Sequence, residues 1–116
     1  MSPQEFVDSL REIVVHASVT DTMRVVAAPP GRKPAAQVAD LNAWFKRLDQ
    51  SDRDRIEELL AMVAHQAVFG FLAILDGARQ IEETVGPKGF FELRFVKNGK
   101  ENFLSGPRGQ VLHELL

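Results

Sequence analysis

The chain has 116 residues, of which 45% are hydrophobic and 26% charged, the balance of one soluble globular domain. Its 14 basic and 16 acidic residues leave a formal net charge of −2, whereas nucleic-acid binding needs a surplus of cations, so we expect no nucleic-acid partner. The absence of cysteine excludes disulfides, thiolate metal sites and cysteine nucleophiles. We therefore treat residues 1–116 as a single domain.

The first predicted element is a helix that begins at Ser2. Ser2 and Glu5 have the spacing of a capping box, and Pro3 occupies the first helical position, where its missing N–H costs nothing. Apolar residues then recur at helical spacing, namely Phe6, Leu10, Ile13, Val14 and Ala17. The hydroxyl-rich residues 18–22 predict a break, and the proline-rich residues 29–34 predict an exposed loop.

Two further helices are predicted downstream. The second spans about residues 35–48, and its inward face consists of Val38, Leu41, Phe45 and Leu48. Ser51 is the predicted N-cap of the third helix, which becomes apolar on nearly all sides from residue 61 onward. Because the apolar segment 61–75 is shorter than the roughly 20 residues of a membrane span, we expect a helix buried by its neighbours, at the centre of one chain or of a dimer. The pair Asp76-Gly77 is expected to interrupt or end this helix.

The last quarter of the chain changes to the alternating pattern of a β-hairpin. Asn98-Gly99 is typical of a type I′ turn between two strands. A hairpin centred there pairs Arg94 with Phe103 and Leu93 with Leu104, and its inward side chains are Phe91, Leu93, Phe95 and Leu104. A short closing helix is predicted over residues 111–116. The predicted fold is α+β and mainly helical, with three to four helices around the central apolar helix, a C-terminal β-hairpin and a short terminal helix.

No residue pattern predicts catalysis, a metal or a cofactor. The three histidines lack metal-ligand spacing, and the sequence has no glycine–Xaa–serine–Xaa–glycine elbow. His65 shares a stripe of the third helix with Asp76, but the eleven residues between them span about 16 Å along the helix axis. We expect His65 to be a core or interface histidine with a local hydrogen bond. The chain is predicted to be no enzyme and to have no catalytic residue, no metal and no cofactor.

Two sets of residues are candidates for binding. One set is the outer face of the hairpin, where Arg94, Glu101 and Phe103 are expected to lie together. Trp44 is added to this set as a candidate partner contact, because tryptophan and arginine are frequent interface anchors. The other set belongs to an alternative hypothesis, a pocket between the long helix and the hairpin that uses His65 or Asp76 with Arg94.

The last half of the chain carries a resemblance. The apolar run over residues 69–77, the Phe91-Glu92-Leu93-Arg94 strand and the closing residues 112–116 resemble a pattern of small bacterial proteins. Some of those proteins are similar to immunity proteins of polymorphic-toxin systems. The resemblance implies a bacterial cytoplasmic accessory or binding protein, and it carries over no catalytic or binding residue.

Three functional hypotheses follow. The leading one is a non-enzymatic, immunity-like binding protein that acts through a protein–protein surface as a homodimer, because catalytic motifs are missing and both the apolar helix and the hairpin edge need a cover. The second is a small enzyme or ligand-binding domain with the pocket described above, and the third is an architectural subunit. The N-terminal residues lack the basic region and apolar run of a signal peptide, so we expect a cytoplasmic protein without a membrane partner.

Overall fold

Three helices and one β-hairpin make up the described residues, 1–83 and 85–116, of the computed structural model. The first helix consists of α1 (Pro3–Leu10), a π-helical segment (Arg11–His16) and α2 (Ala17–Ala27). It is followed by α3 (Ala36–Lys46), α4 (Gln50–Leu75), β1 (Leu93–Lys97), β2 (Lys100–Ser105) and a 3-10 turn (Leu112–Glu114). The predicted α+β fold is confirmed.

The first helix begins as predicted but does not break. The Ser2 hydroxyl accepts a hydrogen bond from the Glu5 N–H at 3.1 Å, and the Ser2 N–H donates to the Glu5 carboxylate at 2.8 Å. The predicted break over residues 18–22 is wrong, because the helix continues to Ala27. Most polar side chains of this stretch are exposed, and Asp21 pairs with Arg24 one turn onward, so they do not compete with the helix backbone.

The π-helical segment keeps the buried residues of the first helix on one face. Val7, Val15 and Val19 are buried, although Val7 and Val15 are separated by eight residues, which exceeds two α-helical turns. An i→i+5 turn takes about one residue more than an α-helical turn, and the Ala17 N–H bonds to the Glu12 carbonyl in that pattern. The additional residue restores the alignment of Val15 with Val7.

The ends of α4 are set by two aspartates. Asp49, rather than the predicted Ser51, is the N-cap, and its Oδ1 accepts a hydrogen bond from the Asp52 N–H at 2.8 Å. Asp76 follows the last residue of α4, and Gly77 has a φ of 76°, the left-handed conformation that ends a helix. The predicted end of α4 at Asp76-Gly77 is confirmed.

The hairpin has the predicted turn and a different register at its open end. Asn98 and Gly99 have φ values of 52° and 75°, as a type I′ turn requires. Arg94 pairs with Phe103 as predicted, but a bulge makes Leu93 pair with Ser105 and not with Leu104. The bulge turns two successive residues, Leu104 and Ser105, into the interior, where both are buried.

The core joins both ends of the chain to α4. Val7 from α1, Leu72 from α4 and Leu112 from the 3-10 turn form its buried centre. Partly buried apolar residues surround them, namely Phe6, Leu10, Val68, Leu75, Leu93, Leu115 and Leu116. Phe91 was expected to face the core, but it precedes β1 and is 45% exposed.

Candidate functional site

One face of α4 is left uncovered by the rest of the chain. Leu59, Val63 and Phe71 are 60%, 64% and 62% exposed, and Ala67 between them is exposed as well. We call these four residues the apolar row. The sequence left open whether this helix is buried within one chain or between two. Within the single chain the buried residues of α4 are only Gly70, Leu72 and Ala73.

An apolar groove adjoins the apolar row. It has a volume of about 460 Å³ and lies between the first helix, α4 and the start of β1. Phe6, Leu10 and Val14 line one side of it, and Ala67 and Phe71 line the other. The groove is therefore built mainly by two helices, with Leu93 as its one contribution from the hairpin, whereas the alternative hypothesis placed a pocket between the long helix and the hairpin. Its lining contains none of the three residues predicted for that pocket.

α4 also satisfies the length and composition of a membrane span, and within residues 1–83 and 85–116 it is the one helix that does so. Only 17% of the most apolar part of α4 is buried inside the chain. Such a helix needs a cover, and the cover can be protein or lipid.

A buried polar cluster forms at the C-terminal end of α4. The Ser105 hydroxyl donates to Asp76 Oδ1 at 2.8 Å, and the His113 N–H donates to Asp76 Oδ2 at 2.8 Å. The Nδ1 atom of His113 also lies 2.8 Å from Asp76 Oδ2, and since an ionised carboxylate only accepts, Nδ1 carries the proton. The cluster therefore joins α4, β2 and the 3-10 turn through one carboxylate.

The Asp76 carboxylate is held in its ionised form. Its side chain is 1% exposed, and this burial acts to raise its pKa. Hydrogen bonds from the backbone N–H groups of His113 and Leu112, from the His113 ring and from Ser105 outweigh the burial, so the pKa of Asp76 is lowered below its ordinary value of 3.8. Asp76 thus stabilises the fold as an anion.

The same three residue types form catalytic triads in hydrolases, but this geometry is different. In a triad the serine bonds to the histidine, and the carboxylate orients the far side of the ring. Here both Ser105 and His113 bond to Asp76, and Ser105 is completely buried. The serine is bonded to the carboxylate and not to the histidine, and its burial closes it off from substrate, so the arrangement is that of a structural tie.

The structure separates the residues of the predicted pocket. His65 is exposed on α4 and stacks on Phe69, with ring centroids 6.4 Å apart. The rings of Phe69 and His113 form a T-shaped pair with centroids 5.2 Å apart, so Phe69 lies between His65 and the buried cluster. Arg94 pairs with Glu101 at 2.8 Å, and among the described residues no hydrogen bond or ion pair joins it to His65 or Asp76.

The outer face of the hairpin does bring its predicted residues together. Arg94 and Glu101 form an ion pair, and Phe103 lies opposite Arg94 across the two strands. The cation stacked on Phe103 is Arg108, 4.4 Å from the ring centroid, and its guanidinium also lies 3.8 Å from Glu92. Trp44 lies on α3 and is 42% exposed.

Two contacts that hold the C-terminal segment in place were not predicted from the sequence. Arg11 donates to the carbonyl oxygens of Leu115 and Leu116 at 3.1 and 2.8 Å, which attaches the C-terminal segment to the first helix. His113 binds Asp76 across 37 residues of sequence. No local spacing connects either pair, so only the fold reveals them.

No group of histidine, aspartate and glutamate side chains that could hold a metal ion occurs in the part of the chain that the structure describes. Comparison with protein-family models, curated proteins and solved structures gives no match for this chain. The functional assignment therefore depends on the geometry described above.

Proposed function

We propose that this chain is a non-enzymatic, immunity-like accessory protein of the bacterial cytoplasm that works by binding another protein. The observation that carries the proposal is the extent of uncovered surface. The chain exposes 8462 Å², whereas a folded monomer of its mass exposes about 6,300 Å². The excess of about 2,000 Å² on this one chain is more than the roughly 800 Å² that each partner of a standard-size complex buries.

The shape of the chain agrees with this excess. Its radius of gyration is 18.8 Å, compared with about 13 Å for a compact domain of similar length. The uncovered surface includes large apolar side chains on two neighbouring helices, such as Ile13, Leu59 and Val63. Monomeric soluble proteins rarely expose contiguous apolar patches larger than a few hundred Å². Such a surface supports association with protein as the working state.

The polar chemistry of the chain supports binding over catalysis. The one buried cluster of serine, histidine and aspartate in the described residues satisfies its own hydrogen bonds. The charged residues of the hairpin face are paired with one another and remain exposed, as Arg94 and Glu101 show. Exposed charge pairs contribute orientation and partner choice to a protein interface more than affinity.

We assign the contact with the outside partner to the outer face of the hairpin. It combines an exposed ion pair, Arg94–Glu101, with the aromatic ring of Phe103 under Arg108. Aromatic and arginine side chains are the residues that most often anchor interfaces. Trp44, 42% exposed on α3, is a separate candidate anchor.

The test is purification of the tagged protein from its host, followed by mass spectrometry of what remains bound. The double variant Arg94→Glu, Glu101→Arg reverses the polarity of the hairpin pair while keeping its attraction, so the fold is expected to survive. The matched control reverses Arg55 and Glu58, another exposed ion pair, on α4. We expect one stoichiometric partner whose recovery falls at least tenfold with the hairpin variant and is unchanged with the control. Equal recovery with all three proteins, or no partner at all, would contradict the proposal.

A second candidate function is the binding of an apolar small molecule, and the groove of about 460 Å³ favours it. Pockets of this size hold drug-sized ligands, and the lining is apolar. Native mass spectrometry of protein purified without denaturant tests this function. A bound molecule of a few hundred daltons on most chains would support it, and unliganded chains throughout would contradict it.

A further inference from the structure

We propose that the cover of α4 is a second copy of this chain, and that the two copies pack their apolar rows against each other in antiparallel orientation. This inference rests on the proposed function, because both start from the uncovered surface. It goes further by naming the partner, the contact residues and their pairing.

The apolar row has the geometry of a helix-packing ridge. Its four members, Leu59, Val63, Ala67 and Phe71, follow one another at intervals of four residues, and all four are exposed. Rows of this spacing are inclined to the helix axis, and when two of them interdigitate the helices cross at about −50°. The apolar row therefore has the spacing needed to pack against another helix, and it remains exposed in the single chain.

The side chains of the row complement one another only in the antiparallel arrangement. A two-fold axis between Val63 and Ala67 places Val63 of one copy opposite Ala67 of the other, which sets a large side chain against a small one. It also places Leu59 of one copy opposite Phe71 of the other. In a parallel pair each residue faces its own copy, so the two small alanines meet and so do the two phenylalanines.

The groove supports the same orientation. Ala67 and Phe71 belong both to the row and to the groove lining, whereas Leu59 and Val63 lie outside the groove. Antiparallel packing brings Leu59 of the second copy to Phe71, at the mouth of the groove. Each copy thus supplies the projecting side chain that the other copy needs, as an isologous interface requires.

The size and composition of the uncovered surface fit a second copy of the chain better than a small ligand or a lipid bilayer. If each copy covers most of its excess, the pair buries about 2,000–4,000 Å², within the range of obligate homodimers. A small ligand in the groove would leave Leu59 and Val63 exposed. A bilayer is a poorer match. Although α4 is long enough to cross one, its apolar part contains His65 and Gln66, and its first turns carry charged side chains, namely Asp52, Arg53, Asp54, Arg55, Glu57 and Glu58.

The first experiment measures the mass of the full chain in solution by light scattering at micromolar concentration. We expect the wild type to be a dimer and Val63→Glu to be a monomer with an unchanged helical circular-dichroism spectrum, because residue 63 is already exposed in the single chain. Ala61→Glu is the matched control, since Ala61 is exposed on the same helix about half a turn away from the row. It is expected to remain a dimer.

The second experiment tests the antiparallel pairing. Val63→Lys and Ala67→Glu each place an unpaired charge in the interface, so each variant alone is expected to be monomeric. When the two are mixed, Lys at position 63 of one copy faces Glu at position 67 of the other. We expect native mass spectrometry to detect a heterodimer of the two variants, whereas a mixture that stays monomeric overturns the antiparallel arrangement.

The outcomes separate this inference from the proposed function. A monomeric wild type, or a Val63→Glu variant that still dimerises, overturns the inference. If an outside protein then copurifies with the monomer, the proposed function stands alone. If instead the monomer binds vesicles of neutral phospholipid and Val63→Glu does not, the cover is a membrane and both proposals fail.

Discussion

The carboxylate of Asp76 accepts hydrogen bonds from residues that lie 29 and 37 positions away in the chain, Ser105 and His113. It is located where α4 ends and where the first helix, β2 and the 3-10 turn approach one another. Its substitution therefore tests how the C-terminal segment is attached.

We expect Asp76→Asn to lower the free energy of unfolding by about 2–3 kcal/mol, because hydrogen bonds to a buried charged group are worth more than neutral ones. An asparagine accepts through one oxygen and turns a donor toward the N–H groups that Asp76 satisfies. Urea denaturation measures the change. Ser105→Ala is the milder comparison, with an expected loss of about 1 kcal/mol, and equal losses for the two variants would contradict the central place of the carboxylate.

The lowered pKa of Asp76 predicts how the stability depends on pH. The folded state binds a proton at Asp76 less readily than the unfolded chain, whose pKa is near 3.8. The stabilisation by Asp76 is therefore complete above that value and is lost as the pH falls through the lower folded pKa. Urea denaturation between pH 7 and pH 3 is expected to show the wild type and Asp76→Asn converging at the acidic end. A constant difference between them would contradict the ionised state.

At the scale of the element, the π-helical segment predicts an unusual tolerance to deletion. Removing Ile13, which is 73% exposed, places Val15 seven positions after Val7 and no longer eight, close to two α-helical turns. We expect the segment to become α-helical and the melting temperature to change by no more than a few degrees.

Insertion of one alanine after Glu12 is the control for that deletion. It rotates the two halves of the first helix by about 100° relative to each other, so either Val7 or Val15 leaves its buried position. The expected loss is about 1.5–3 kcal/mol in urea denaturation. If the deletion were as damaging as the insertion, the aligning role of the π-helical segment would be refuted.

Elements whose determinants are close together in sequence were predictable. The capping box at Ser2 and the Asn98-Gly99 turn are each encoded within four residues, and both are confirmed. The break at residues 18–22 was mispredicted because hydroxyl and acidic side chains favour helix ends but also occupy exposed helix positions, and sequence alone does not show which face is exposed. The N-cap of α4 was predicted two residues too late, at Ser51. Aspartate and serine are about equally good N-caps, so residue type alone does not distinguish Asp49 from Ser51.

The candidate site was less predictable because its contacts are distant in sequence. The pairing of Arg94 with Phe103 follows from the turn, so the outer face of the hairpin could be derived. The bond between Asp76 and His113 and the anchoring of the C-terminal segment by Arg11 depend on the tertiary fold. A helix that is apolar on all sides is typical of a buried helix, but its sequence does not show whether the same chain or another one buries it.

At the scale of the whole molecule, the proposed dimer predicts a stability that depends on concentration. Because two folded chains share one interface, a tenfold dilution lowers the stability of the pair by about 1.4 kcal/mol. For a dimer of this length the melting temperature is expected to fall by about 3 °C per tenfold dilution. Val63→Glu is expected to melt at a lower temperature than the wild type, and its melting temperature is expected not to change with dilution. Calorimetry over a hundredfold range of protein concentration measures both. A wild type that melts independently of concentration would speak against an obligate dimer.

The core that joins Val7, Leu72 and Leu112 has a consequence for the newly made protein. The end of α4 is translated about forty residues before Leu112. During that interval the apolar helix is exposed, because the core is not yet closed and no second copy covers the helix. We expect truncated chains that end before Leu112 to be cut by proteases more readily than chains that include His113, because only the longer chains close the core around Leu72. Closing the core and covering the apolar row are then two separate steps, and only the second needs another copy of the chain.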